Sequence, residues 1–250
     1  MRITDQIYIV ASLQLGISGR WDSHVYLVKG SGGLVLIDAG GGTDGETILE
    51  NIRSEGFNPN DIKALLLTHN HFDHSCGAGE LREKTGCKVY LSHKTRNLLE
   101  CGTAKEAGLD RAIEQGIYPK GFQYRNCVVD QAVYDGDVIE AAGLKFEAIG
   151  IEGHSPDSIC YLLEMDGRRN LFCGDVLFYG GIIGLINAPG STMEGYRKDL
   201  KRLSKLNIDG LFPGHFLFTI TWGQRHIDAA IDQCDKSSIP QTIGNYGVIF

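Results

Sequence analysis

Short apolar runs, broken by glycines and polar clusters, recur along the chain. They predict strands at 7–11, 23–28 and 34–37, the last running into Asp38-Ala39-Gly40-Gly41-Gly42. A helical pattern follows at 43–55, with Thr43 or Asp44 able to cap it and Gly56 to end it. Residues 64–67 contain no alternating polar position, so they read as a strand buried on both faces. A helix is expected at 74–84 and a strand at 88–91, and the stretch 92–122 reads as helical, interrupted by glycines. Strands return at 127–133, 144–149, 159–164 and 170–172. A helix at 193–206, a short strand at 211–212, a helix at 223–235 and a glycine-bearing tail complete the pattern.

Strand pairs alternating with helices predict an α/β protein whose two sheets are covered by outer helices, a four-layer αββα sandwich. One domain spanning 1–250 is expected, with a helical insertion at about 93–122. Three buried strands end abruptly in polar residues: Leu67 into Thr68-His69, Phe172 into Gly174-Asp175, and Phe212 into Pro213-Gly214-His215. Polar side chains at the ends of buried strands sit on a rigid support and face a cleft, which suits a site.

The composition sharpens this picture. Histidine is scarce, eight in 250 residues, yet three fall between positions 69 and 74, in the run His69-Asn70-His71-Phe72-Asp73-His74. His69 and His71 are two apart at a strand end, so both rings can reach one ion. Asp73 and His74 follow as the chain turns into a helix and can serve a second ion. His154, Asp175 and His215 each stand at a strand–loop junction downstream. Taken singly, His154 or His215 is an ordinary loop histidine; with the upstream run they complete a set of five histidines and two aspartates. Two ions sharing one bridging carboxylate use all seven. His24, His93 and His226 are left as residues with ordinary hydrogen bonds.

A net charge of −7 disfavours nucleic acid as the main partner. The N-terminal MRITDQIYIVAS lacks a basic region followed by a long apolar core, and no apolar run approaches membrane-spanning length. A cytoplasmic protein without membrane partners is expected, and seven scattered cysteines without a C-x-x-C pair fit reduced, buried thiols.

Thr68-His69-Asn70-His71-Phe72-Asp73-His74, Gly153-His154-Ser155-Pro156, Gly174-Asp175 and Pro213-Gly214-His215 resemble the ordered motifs of the metallo-β-lactamase-fold superfamily. Leu36-Ile37-Asp38-Ala39-Gly40 is similar to its earlier motif. The resemblance implies two divalent ions, foremost zinc, with iron or manganese as alternatives. It places His69, His71 and His154 on the first ion, Asp73, His74 and His215 on the second, and Asp175 between them. It gives Asp38 the task of orienting the ligands. Asp73 and Asp175 are the expected catalytic carboxylates, with Asp73 guiding a proton to the leaving group.

The cysteine-ligated β-lactamases of the superfamily have Cys where this chain has Asp175, which argues against a dedicated antibiotic-degrading enzyme. Cys173 is expected to pack within its strand. The segment 173–178 is similar to that of glyoxalase II-like thioester hydrolases. Residues 216–250, however, provide one helix and a tail where glyoxalase II has a helical domain holding part of its glutathione site. The expectation is therefore a hydrolase for a small thioester or lactone. The alternatives are an iron-dependent persulfide dioxygenase or a relative acting on β-lactams or phosphodiesters. Trp21, on a glycine-flanked loop and expected to be exposed, is a candidate substrate contact, as are Tyr118, Phe178 and Tyr179. Asp157 stands where relatives commonly have glycine and is suited to capping a turn. Oligomeric state stays open, a homodimer included.

Overall fold

The computed structural model describes residues 1–236 and 238–243; Gly244 and Gly247 of the expected tail lie outside them. The chain forms two compact units, one of Met1–Val133 with Glu140–Leu144, the other of Tyr134–Ile139 with the described residues from Lys145 onward.

In the first unit a sheet runs in the order β1 (Ile7–Ala11), β2 (Val25–Gly30), β3 (Gly33–Ile37), β4 (Ile62–Leu66), β5 (Lys88–Ser92) and β6 (Gln131–Val133). The first three strands are antiparallel, and β3 to β6 are parallel. Parallel neighbours need crossovers. α1 (Gly45–Ser54) supplies one between β3 and β4. α2 (Phe72–Ser75) and α3 (Ala78–Thr85) lie between β4 and β5. α4 (Arg96–Cys101) and α5 (Leu109–Glu114) lie between β5 and β6. Register sets Leu36 beside Leu65 and Leu65 beside Val89, and all three enter a core with Leu27, Ile48 and Leu81. Ala64 and Leu66, on the opposite face of β4, are equally buried, as the unbroken apolar run predicts.

In the second unit the order is β11 (Gly210–Pro213), β10 (Arg168–Gly174), β9 (Ile159–Met165), β8 (Leu144–Gly150) and β7 (Val138–Ala141). β8, β9 and β10 are antiparallel and β11 joins β10 in parallel. α6 (Met193–Asp199) and α7 (Gly223–Asp235) share a core with Ile149, Leu162, Leu171 and Leu211, to which Tyr196 and Ile227 contribute.

The departures from the sequence pattern are local. The helix expected at 74–84 is two helices parted at Cys76-Gly77. There the chain presses on the β3 loop: Gly77 N–H donates to the Gly40 carbonyl at 3.1 Å, and a Cβ on Gly77 would lie 2.0 Å from the Ala39 oxygen. The strand expected at 127–133 shortens to β6 because Asp130 leaves the ladder pattern, its carboxylate accepting the Val89 N–H at 2.9 Å. β7 was not expected, since only Ile139 of its four residues is buried. The helix at 193–206 ends at Asp199 and tightens into a 3₁₀ turn over Leu200–Leu203. Asp44 takes the N-cap position of α1, but its carboxylate accepts from Thr47 Oγ1 rather than from backbone.

Candidate metal centre

In the first unit the ends of β3 and β4 bring Asp38, His69, His71, Asp73 and His74 together. Asp38 sits at φ +65°, a left-handed conformation that Asp tolerates better than bulky residues. Its carboxylate is buried and accepts the Thr68 N–H at 2.7 Å, the Thr68 hydroxyl at 2.9 Å, and His74 Nδ1–H at 2.8 Å. Each bond has a consequence for a neighbouring ring. His74 Nδ1 carries the proton, so Nε2 keeps the lone pair. The single hydroxyl hydrogen of Thr68 is committed to Asp38, so Thr68 Oγ1 accepts from His69 Nδ1–H at 3.0 Å. That leaves the His69 lone pair on Nε2, which lies 3.1 Å from Nδ1 of His71. Two imidazole nitrogens bound tetrahedrally to one zinc, each at about 2.0–2.1 Å, would stand roughly 3.3 Å apart. Asp73 Oδ2 lies 3.6 Å from His74 Nε2. His69 and His74 are 1% and 0% exposed, so both rings are enclosed by protein.

The second unit assembles the other three. His154 follows β8, Asp175 follows β10 and His215 follows β11. His154 Nδ1–H donates to the Gly184 carbonyl at 2.6 Å, which again leaves Nε2 with the lone pair. Asp175 Oδ2 lies 3.8 Å from His154 Nε2 and 3.5 Å from His215 Nε2, so one carboxylate oxygen faces both rings. Packing around these residues is tight. A Cβ on Gly184 would lie 1.7 Å from the Asp175 carbonyl oxygen, and one on Gly153 would lie 2.7 Å from the Tyr196 ring. Tyr196 is fully buried and its hydroxyl donates to the Val176 carbonyl at 2.8 Å.

The remaining candidates fall in different places. Trp21 is half-buried rather than exposed, because its indole N–H donates to the Ile117 carbonyl at 2.7 Å and its ring packs on Tyr118. The strongly exposed tryptophan is Trp222, at 72%. Tyr118 is buried and its hydroxyl donates to the Gly41 carbonyl. Phe178 is fully buried, while Tyr179 is exposed with its ring 4.2 Å from that of His226. Cys173 packs inside β10 with its thiol toward the Leu177 carbonyl, and burial holds that thiol well above its ordinary pKa. Asp157 is buried, at 4% exposure.

Several residues that shape these arrays carry no sequence signal of their own. Thr68 and Gly184 fix imidazole tautomers, yet one reads as the residue after a strand and the other as a loop glycine. Asp22 accepts the Gly41 N–H at 2.8 Å, and burial raises its carboxyl above the ordinary range against the lowering effect of that bond.

Residues 18–215 match the family model of the Metallo-beta-lactamase superfamily. The chain belongs to the metallo-beta-lactamase superfamily. The αββα fold class expected from the strand and helix pattern is therefore that of the protein, and the protein is a metal-dependent hydrolase. The chain is 30% identical over 176 residues to the probable metallo-hydrolase YqgX of Bacillus subtilis (strain 168), covering 70% of this chain and 75% of that protein. It is 27% identical over 241 residues to a hydroxyacylglutathione hydrolase of Chromohalobacter salexigens, covering 89% of this chain and 79% of the relative. Among solved structures it resembles BJP-1, a subclass B3 metallo-beta-lactamase of Bradyrhizobium japonicum. The TM-score is 0.69 at 21% identity, over 93% of this chain and 89% of that one. It also resembles a B3 metallo-beta-lactamase with an active-site glutamic acid. There the TM-score is 0.70 at 23% identity, over 92% and 86% of the two chains. These likenesses concern the fold.

The superfamily implies divalent metal ions, and the donor chemistry fits them. His69, His74 and His154 each have Nδ1–H anchored by an oxygen, which presents Nε2 as a lone-pair donor. Imidazole with carboxylate suits zinc, iron or manganese alike. No helix among the described residues is long and apolar enough to cross a membrane.

Proposed function

We propose that this chain hydrolyses a small thioester at a centre of two zinc ions. In this reading His69, His71 and His154 hold one ion, Asp73, His74 and His215 hold the other, and Asp175 bridges them. The observation that carries the bridging role is the placement of Asp175 Oδ2, 3.8 Å from His154 Nε2 and 3.5 Å from His215 Nε2. Support for the substrate class comes from the hydroxyacylglutathione hydrolase likeness, which spans 89% of this chain.

Ions in such a centre supply an acidified water and polarise an acyl oxygen. The chain's own residues do the rest. Asp38 and the Gly184 carbonyl hold His74 and His154 in the tautomer that ligates. Asp73 holds a proton path toward the departing thiolate. Asp175 adds negative charge between the ions, offsetting their mutual repulsion.

The test is metal analysis and turnover on one preparation. Two zinc per chain and thiol release from a small acyl thioester are expected. Asp175→Ala should lower metal content and cut kcat/KM by at least about 100-fold. Full metal content with full turnover in that variant would refute the assignment. One iron per chain with oxygen uptake on a persulfide would replace hydrolysis by dioxygenation. A lactone turned over in preference to the thioester would redirect the substrate assignment.

A further inference from the structure

We propose that Tyr118 is a positioning residue for the metal-ligand run: it ties the helical insertion to Phe72 and thereby sets Asp73. This rests on the two-ion reading above. All the residues involved belong to the first unit.

The insertion has little core of its own. Leu99 packs into the sheet core, while Leu109, Ala112 and Tyr118 form a small cluster of their own, and two of the side chains that complete that cluster, Trp21 and Phe72, come from outside the insertion. α5 has six residues, too few for a helix to stand without packing. Tyr118 is where the pieces meet. Its ring lies 5.4 Å from Phe72, 5.9 Å from Trp21 and 4.9 Å from Phe122, centre to centre. Its hydroxyl donates to the Gly41 carbonyl. A Cβ on Gly41 would lie 2.5 Å from that hydroxyl and 2.3 Å from the Trp21 carbonyl oxygen, so only glycine admits the contact.

These contacts close a circuit. Tyr118 holds Gly41 O, and Gly41 N–H donates to Asp22 Oδ1 at 2.8 Å. The next residue, Ser23, donates its N–H to the Asp73 carbonyl at 3.1 Å. Asp73 follows Phe72, whose ring returns to Tyr118. Asp73 is therefore gripped on its carbonyl from one side and through its neighbour's ring from the other. His71 and His74 flank the same short segment. A second fastening, Trp21 Nε1–H to Ile117 O at 2.7 Å, holds the insertion beside Tyr118.

The hydroxyl of Tyr118 is spent on Gly41 and is 3% exposed. Burial also holds the phenol far above its ordinary pKa, so it stays protonated. It is placed to orient the site rather than to touch a substrate, which separates it from the substrate contact expected from the sequence.

Zinc affinity by chelator competition tests this, with melting temperature of the metal-free protein as control. Tyr118→Phe keeps the ring stack and removes only the hydroxyl. It should weaken the second zinc about 10-fold while leaving the first near its wild-type value. KM for a thioester should change less than kcat. A purely structural Tyr118 would lower the melting temperature and leave both zinc affinities alone, and that result overturns the proposal. Should Tyr118→Phe fail to fold, Trp21→Phe, which loses the Ile117 bond, must show the same selective weakening or the proposal falls. A wild type that takes up no zinc overturns the two-ion reading and this assignment with it. Wild-type affinity for both zincs in Tyr118→Phe overturns this assignment alone.

Discussion

The carboxylate of Asp38 shows how one side chain can set the chemistry of two others. It accepts from the Thr68 amide, the Thr68 hydroxyl and His74 Nδ1. Both imidazole tautomers, of His74 directly and of His69 through Thr68, follow from that acceptor-only character. Asparagine offers one oxygen acceptor and an NH₂ donor in its place. If the NH₂ faces His74 Nδ1, the ring must move its proton to Nε2 and lose the lone pair that ligates. Asp38→Asn should therefore bind zinc about 10- to 100-fold more weakly. Its far-ultraviolet circular dichroism should be that of wild type, because the backbone stays able to adopt φ +65°. Unchanged zinc affinity measured by competition would remove Asp38 from this role.

Strand ends and close backbone crossings do for whole elements what Asp38 does for rings. β3 and β4 are parallel neighbours, so their C-terminal ends emerge side by side and bring Asp38 next to the run that begins at Thr68. In the second unit β10 and β11 are also parallel, and Asp175 and His215 leave them in the same way. The turn between α2 and α3 is pressed onto the loop after β3, with Ala39 N–H donating to the His74 carbonyl at 2.7 Å. Gly77 makes that crossing possible, since a Cβ there would lie 2.0 Å from the Ala39 oxygen. Gly77→Ala should destabilise the protein by about 1–3 kcal/mol and lower zinc affinity as the two loops part. A denaturation midpoint equal to wild type would show that the loops yield at little cost.

Across the entire molecule, metal binding and stability should be linked. In the proposed reading, ligands from sequence positions as distant as 154 and 215 converge only in the native state, so ion binding should favour that state. An ion at 100 times its dissociation constant adds about 2.7 kcal/mol. For a chain of this length each kcal/mol moves the melting temperature by roughly 2–4 °C. The zinc-loaded protein should melt several degrees above the chelator-treated one, in a zinc-dependent manner. Coincident melting curves would mean that the ligands do not act as one site. The net charge of −7 leaves such cation uptake unopposed.

Much of this was legible before any coordinates. Hydrophobic period located β1 and α7 at their observed positions and β5 to within one residue, because burial on one or both faces is what the period reports. The ligand-type residues stood out through their chemistry, scarce histidines placed where apolar runs stop. What sequence pattern left open depends on approach distances between segments far apart in the chain. The break at Gly77, the tautomers set through Thr68 and Gly184, and the inward turn of Trp21 toward Ile117 are all of this kind. A periodicity records which face is buried, but not which atom on another segment waits there to accept a hydrogen bond.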